Sequence, residues 1–405
     1  MAASEHRRNI VIIGGGIIGT SSAYYLTRHP SFDPAKHNVT ILEATEIAGG
    51  ASGKAGGLLA LWAFPSNIVP LSYKLHEQLA KDHGGKERWG YREVRCGQIL
   101  AQAQGKKATD GPGAVSLEKR SEAAMGALKA AGIPRDLDWF DPGALKDYED
   151  MAGPGQTAQV HPYLFTTSMA KLAEEKGAKV ILGSVTDIDW STDGVKAVTY
   201  TDKTTGQSET MKATDVVISA GPWTRRVFHQ APIDALRAHS VVIRPTRPVS
   251  AYTLFTEIGL PSTGSGKRQK VVSPEIYARP DNTVYACGEG DTIVPLPETS
   301  ADVQVDQARC QDIIDGVGAI SSELRDGQEV VRQACYLPNV SARGGGPLIG
   351  STGVKGLYLA TGHTCWGIQN APGTGKLISE FVFEGKAKSA NIDSLDPRKL
   401  IRIPV

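Results

Sequence analysis

An α/β fold built around a parallel sheet is what this 405-residue sequence predicts, and three observations predict it. Residues 10–13 are Ile10, Val11, Ile12 and Ile13, an apolar β-branched run suited to a strand buried on both faces. The run that follows, Gly14, Gly15, Gly16, Ile17, Ile18 and Gly19, fits G-x-G-x-x-G and leads into a helix predicted over 19–29. A second strand over 38–42 then ends in an acid, Glu43, 24 residues after Gly19. Each glycine serves a mechanical purpose. Gly14 allows the tight turn out of the strand, Gly16 the approach of backbone to a pyrophosphate, and Gly19 the packing of helix on sheet. The helix points its first amides at phosphates, and a carboxylate at Glu43 accepts from ribose hydroxyls. An adenine dinucleotide site lined by these residues and Ala44 is the expectation.

Bulk properties narrow the class further. The length suggests two to three domains with ample apolar content for a core. Lys plus Arg number 44 against 43 Asp plus Glu, so no net field favours nucleic acid or an anionic membrane, and a small-molecule partner is expected. The five cysteines (Cys96, Cys287, Cys310, Cys335, Cys365) are odd in number and widely spaced with no C-x-x-C, which suggests neither a disulfide framework nor a zinc site, and a reducing compartment. Residues 10–18 are too short and too glycine-interrupted for a signal or a membrane span, so the expectation is a cytoplasmic protein without an integral membrane segment.

Along the chain, a second glycine-rich stretch, AGGASGKAGG over 48–57, offers small residues for close backbone approach, with Ser52 and Lys54 as phosphate-side candidates. The apolar run 58–64 follows, then a helix over 68–83 and a strand over 94–102. Residues 106–122 read as a loop leading to a short helix, and 139–144 carry an Asp-Pro turn. A helix over 165–176 precedes a strand at 179–182 and hairpin-like strands at 184–190, 195–201 and 209–213. A buried strand at 215–219 runs into Ala220, Gly221, Pro222 and Trp223, where backbone again meets ligand. From 238 to 290 the pattern turns antiparallel, with strands at 240–244, 250–256, 275–279 and 283–288. A helix over 304–320, a strand over 329–337, further short strands and a last helix over 376–384 complete the chain.

Taken together, IVIIGGGIIG with Glu43, SGKAGG, DVVISAGPW, EIYARPDNTVYACG and LYLATGHTCWGIQNAPGTGK resemble the FAD-dependent D-amino-acid oxidase and sarcosine oxidase superfamily over nearly the whole chain. Within it, the stretches around 44–65 and 360–376 look most like a fungal branch of FAD oxidoreductases, one yeast member of which is linked to endosomal recycling. The resemblance implies a Rossmann-like FAD-binding domain with a mainly antiparallel β substrate domain, a two-domain flavoprotein of the glutathione-reductase type. The FAD domain would be discontinuous, 1–92, 155–235 and 325–405, and the substrate domain would comprise 93–154 and 236–324. It also implies roles for particular residues. Ser184 and Val185 would touch adenine, while Ala51, Ser52, Gly53, Lys54, Gly56, Gly57 and Leu58 would bind pyrophosphate and ribityl. Ala220, Gly221, Trp223 and Gly346 would pack beside the cofactor. Gly362, His363, Thr364, Trp366, Gly367 and Ile368 would present amides to the flavin, with a helix dipole starting near Gly375 adding to them. Cys335 stands where covalent-flavin relatives carry a cysteine, so a thioether and an ordinary buried thiol are both open there; Cys365 reads as structural.

The implied activity is oxidation of a C–N bond in a small amine, amino acid or N-substituted amino acid to an imine, with oxygen or another acceptor reoxidising FAD. The cations that hold a substrate carboxylate in such enzymes are missing: their positions fall at Leu337 and near Leu59 and Trp366. Arg279, Arg343, Arg244 or Arg95 could replace them, Arg279 with the best claim because it shares a strand side with Tyr277. Tyr277, Arg279, Trp366 and His363 are thus the candidate catalytic residues, with Trp62 a further apolar wall and His363 an orienting group rather than a base. The competing readings are an FAD protein acting through partners in trafficking, with peripheral endosomal association, and an oxygen-avoiding FAD dehydrogenase. Oligomeric state is not legible.

Overall fold

Along the strand Arg8–Ile13 two half-buried residues are followed by four buried ones, whose alternate side chains face two different layers. In the computed structural model, which describes residues 7–103, 132–261, 270–342 and 345–403, Ile10 and Ile12 pack into a cluster with the helices, while Val11 and Ile13 pack on the opposite side. Successive side chains of a strand point to opposite faces, so four apolar residues in a row require cover on both. Helices Ile17–Leu26, Val69–His83, Pro162–Glu174 and Gly367–Glu384 contribute to the first cluster; strands Lys179–Ser191 and Gly194–Asp202 contribute to the other.

The sheet they cover has eight strands in the order Ser208–Lys212, Gly194–Asp202, Lys179–Ser191, His37–Glu43, Arg8–Ile13, Asp215–Ile218, Leu357–Thr361 and Leu348–Ser351. Its centre is parallel and its margins antiparallel. At its base Arg8 grips the buried Asp215 with two bonds of 2.7 Å, tying the two central strands together.

A second sheet runs in the order Gln328–Val340, Ile233–Arg244, Val284–Cys287, Glu275–Ala278, Tyr252–Gly259, Arg95–Gln102 and Leu145–Asp150. Every pairing along it is antiparallel except that of Tyr252–Gly259 with Arg95–Gln102. Helix Gln307–Gly318 packs on one face through Cys310, Ile313 and Val317. The two sheets and their helices form the two-domain α/β architecture expected from the sequence.

Four details differ from expectation. Residues 179–191 form one continuous strand rather than two. The segment 328–340, expected with the first domain, pairs along its length with Ile233–Arg244 in the second sheet. The first helix begins at Ile17, with Gly16 as its cap, so the glycine motif reaches into the helix. The last helix begins at Gly367 rather than 376, despite carrying Pro372. Proline at 372 cannot donate to the carbonyl of Ile368, four residues earlier. His76 Nε2 lies 2.9 Å from that oxygen and takes the place of the missing amide. Gly373 and Gly375, which look like helix breakers, let neighbours approach: a Cβ would fall 2.2 Å from Ser72 Oγ and 2.6 Å from the Ser21 carbonyl oxygen. The expected loop and helix at 106–122 lie outside the described residues.

Candidate functional site

A cleft of about 440 Å³ opens at the carboxyl ends of the parallel strands, where open α/β sheets place their ligands. The turn after the first strand forms its floor. Gly14 has φ +107°, and a Cβ there would stand 2.6 Å from the Ser219 carbonyl oxygen, so strand, turn and the neighbouring Asp215–Ile218 strand meet only through glycine. At Gly19 a Cβ would stand 2.0 Å from the Gly14 carbonyl oxygen. Gly16 is different: its nearest neighbour would be Ser52 Oγ at 3.1 Å, leaving its approach open to the cleft. Ile17 donates its amide to Ser52 Oγ at 2.9 Å, which brings the 48–57 loop to the helix N-terminus. Glu43 lines the cleft with its carboxylate held by the Gly15 amide at 2.7 Å and by the Thr45 amide and hydroxyl at 2.8 and 3.0 Å. A carboxylate has about four acceptor positions, so ribose hydroxyls can still be accepted.

The other end is built by the 363–368 segment and the helix that starts at Gly367. Thr364 holds φ +52°, an unfavourable conformation for a β-branched residue, and such outliers concentrate at ligand sites. His363 Nε2 contacts Thr374 Oγ1 at 3.0 Å, while its buried Nδ1 has no partner. Burial pushes the His363 pKa down to about 3, so the imidazole is neutral across the physiological range. The first-turn amides of the 18-residue helix beginning at Gly367 lack intrahelical partners and carry its positive dipole end into the cleft. A glycine-lined phosphate cradle, a ribose carboxylate and an amide-rich far end together fit an adenine dinucleotide with an electron-accepting ring.

The expected binding residues divide clearly. Gly14, Gly16, Ile17, Ile18, Glu43, Ala44, Ala51, Ser52, Ser184, Val185, Ala220, Gly221, Trp223, His363, Thr364, Gly367 and Ile368 line the cleft. Gly53 instead packs on the Ala48 carbonyl, Gly57 on the Val160 carbonyl, and Gly362 on Val340. Gly346 is a correction: a Cβ there would meet Leu395 at 2.8 Å, so it serves packing away from the cleft. Lys54 is another. Its ammonium donates to the Ala334 carbonyl at 3.1 Å, next to Cys335, rather than reaching the phosphate end. Cys335 is buried, and burial pushes its thiol up to about 11 against the opposing pull of Lys54. Cys365, expected to be structural, is exposed and lines the cleft. The sequence does not point to segment 298–300 as part of the site, yet it lines the cleft: Ser300 Oγ lies 2.6 Å from Thr45 Oγ1, and Trp223 Nε1 donates to the Pro297 carbonyl at 2.8 Å. Its local signal is the Thr299…Asp302 capping box.

Beside the far end stands an aromatic cluster. Trp366 meets Trp62 edge-on at 5.5 Å, Trp62 meets Phe255 at 5.9 Å, and Tyr277 lies 6.5 Å from Phe255 and 5.7 Å from Tyr285. Leu58 joins this cluster, and Gly56 abuts Tyr277 so closely that a Cβ would overlap its ring at 2.0 Å. Tyr277 and Arg279 share one side and both are buried. Arg279 donates to the Ala55 carbonyl at 2.7 Å and lies 5.0 Å over the Tyr285 ring, with Nε unpartnered. Arg95 is instead tied to Asp150 and Tyr252, Arg244 is exposed at a strand end, and Arg343 lies outside the described residues. Sequence reasoning misses Glu275, whose carboxylate accepts from the Tyr277 hydroxyl. Its signal is available: it lies two residues before Tyr277 on the same strand side.

Comparison with known proteins agrees with this geometry. The family described as "DAO: FAD dependent oxidoreductase" matches residues 9–381. "Putative oxidoreductase TDA3" of Saccharomyces cerevisiae is 35% identical, covering 98% of this chain and 95% of its own; a Schizosaccharomyces pombe protein of the same designation, C1F5.03c, is 34% identical, covering 97% and 98%. Among solved structures, glycine oxidase from Geobacillus kaustophilus superposes with a TM-score of 0.70 at 19% identity, covering 99% of this chain and 100% of its own. No described helix is long and apolar enough to cross a membrane. The match along most of the chain, the two full-length relatives and the dinucleotide cleft lead to one conclusion: this chain belongs to the DAO family of FAD-dependent oxidoreductases.

Proposed function

We propose that this protein oxidises a C–N bond of a small amine, amino acid or N-substituted amino acid to an imine. The observation that carries the reading is the aromatic cluster of Trp62, Phe255, Tyr277, Tyr285 and Trp366 standing directly beside the amide-rich end of the cleft. Bound FAD supplies the hydride acceptor. The chain's own residues hold, orient and shield. Gly14, Gly16 and Ser52 would hold the pyrophosphate, Glu43 the ribose and Val185 the adenine side, while the first amides of the helix at Gly367 would stabilise negative charge on the electron-accepting ring. His363, neutral and bonded to Thr374, orients that segment and takes no proton at neutral pH. Trp62 and Trp366 exclude water and set the amine against the ring, and positioning of this kind supplies much of the rate. The glycine oxidase likeness in fold supports an amine substrate class.

The test is anaerobic mixing of the FAD-loaded protein with D- and L-amino acids, N-methyl amino acids, cyclic imino acids and simple amines, following the flavin absorbance. Bleaching by one class is expected, and admitting air then separates oxidase from dehydrogenase. A flavin that dithionite reduces and no member of the panel bleaches refutes the reading. Acid precipitation of the same preparation distinguishes the two states open at Cys335: a thioether leaves flavin in the pellet, a free thiol releases it.

A further inference from the structure

Phe255, Glu275 and Cys287 are directly opposite one another across three neighbouring strands, and Tyr277 is opposite Tyr285 one step along. These positions share the sheet face turned toward Gly56 and the two tryptophans. The face is aromatic, and it carries one carboxylate. Glu275 accepts from the Tyr277 hydroxyl and has Cys287 Sγ at 3.8 Å, and among the described residues no Lys, Arg or His pairs with it. The same aromatic cluster reaches the cleft through Trp366, which packs on Trp62 and is flanked by the cleft residues Cys365 and Gly367. Arg279 gives one donor to the Ala55 carbonyl and Lys54 its ammonium to the Ala334 carbonyl, and neither forms an ion pair with Glu275. Burial holds the Glu275 carboxyl above its ordinary value, because an unpaired carboxylate is costly there; a cation set against it would favour the ionised form, and aromatic faces add their own attraction for one. A substrate carboxylate placed against Glu275 would meet like charge.

We infer that Glu275 is the residue that holds the substrate, binding its ammonium group and accepting the proton that must leave before hydride transfer, and that the preferred substrate is a cationic amine lacking a carboxylate, walled by Trp62, Phe255, Tyr285 and Trp366. This rests on the amine-oxidising reading and narrows it.

The test uses an ammonium ion that cannot be oxidised in this way. Benzyltrimethylammonium and, separately, benzoate are titrated into the oxidised FAD-loaded protein, with binding read from the perturbed flavin spectrum and by calorimetry. The ammonium ion is expected to bind at least about tenfold more tightly than benzoate, and Glu275→Gln to weaken it at least about tenfold with FAD content unchanged. Benzoate binding as tightly as the ammonium ion, or an unchanged affinity in Glu275→Gln, overturns the inference. If that variant does not retain FAD, the comparison of the two ions on the wild type decides alone. Failure of the two readings is distinguishable. Glu275-dependent ammonium binding without flavin bleaching by any amine removes amine oxidation and keeps this site. Faster bleaching by amino acids than by their carboxylate-free counterparts keeps amine oxidation and removes the assignment of Glu275.

Discussion

Alanine placed at Gly16 and at Gly19, one at a time, separates the glycine that serves the ligand from the glycine that serves the fold. At Gly19 the added Cβ would lie 2.0 Å from one backbone oxygen and 2.8 Å from Ser219 Oγ. The first of these contacts must open by about an ångström, and a backbone atom in a packed turn cannot swing aside. Overpacking of this kind costs about 1–3 kcal/mol. At Gly16 the new Cβ meets only Ser52 Oγ, at 3.1 Å, and the residue has φ −73° and ψ 179°, ordinary values for alanine. The apoprotein should therefore lose no more than about 0.5 kcal/mol. The methyl group instead occupies the approach to the pyrophosphate, and a loss of about 100-fold in FAD affinity, or about 2.7 kcal/mol, is expected. Denaturant unfolding of both apoproteins, followed by FAD titration, reads the two effects separately. Equal destabilisation by both variants, or a Gly16→Ala protein that binds FAD as wild type does, refutes the division of labour.

Two further outcomes follow from the same site. Burial pushes His363 down to about 3 and His76 down to about 4, both below the ordinary histidine value, so each is neutral when folded and takes up a proton on unfolding in mild acid. Stability from these two groups is complete above about pH 6.5 and declines as pH falls toward their folded values. Each removes about 2 kcal/mol at pH 5, and His363→Gln should abolish its share of the difference between unfolding curves at pH 7 and pH 5. Iodoacetamide should modify Cys365 of the apoprotein before the buried Cys96, Cys310 and Cys335, and FAD should slow that reaction at least about tenfold; mass spectrometry of the labelled peptides checks both.

The nucleotide half of the cleft is legible in the sequence because its determinants are local. Ile10 to Gly19 and Glu43 act through spacing, burial and backbone freedom, all of which a sequence displays directly. The long-range partners are not. Lys54 looks like a phosphate ligand beside Ser52, yet its ammonium finds a carbonyl 280 residues away. Segment 328–340 reads correctly as a strand, but only tertiary pairing assigns it to the second sheet. The aromatic cluster draws its members from five separate segments, so Tyr277 and Trp366 are visible as residues while their relation to Trp62, Phe255 and Glu275 is not. The last helix reads as starting only at 376 because Pro372, Gly373 and Gly375 oppose helix on their own. In the fold, His76 supplies the missing donor and two neighbouring helices fill the space the glycines leave.

That substitution of a side chain for an amide couples positions 76 and 372. With proline at 372, loss of His76 strands the Ile368 carbonyl, buried and without a donor, in the very turn whose amides face the cleft. With alanine at 372 the helix would regain its own donor, and the histidine would become dispensable. Change is therefore tolerated in one order only, Pro372 first and His76 second. A drifting lineage that took the reverse order would damage its cofactor site through a residue on another helix.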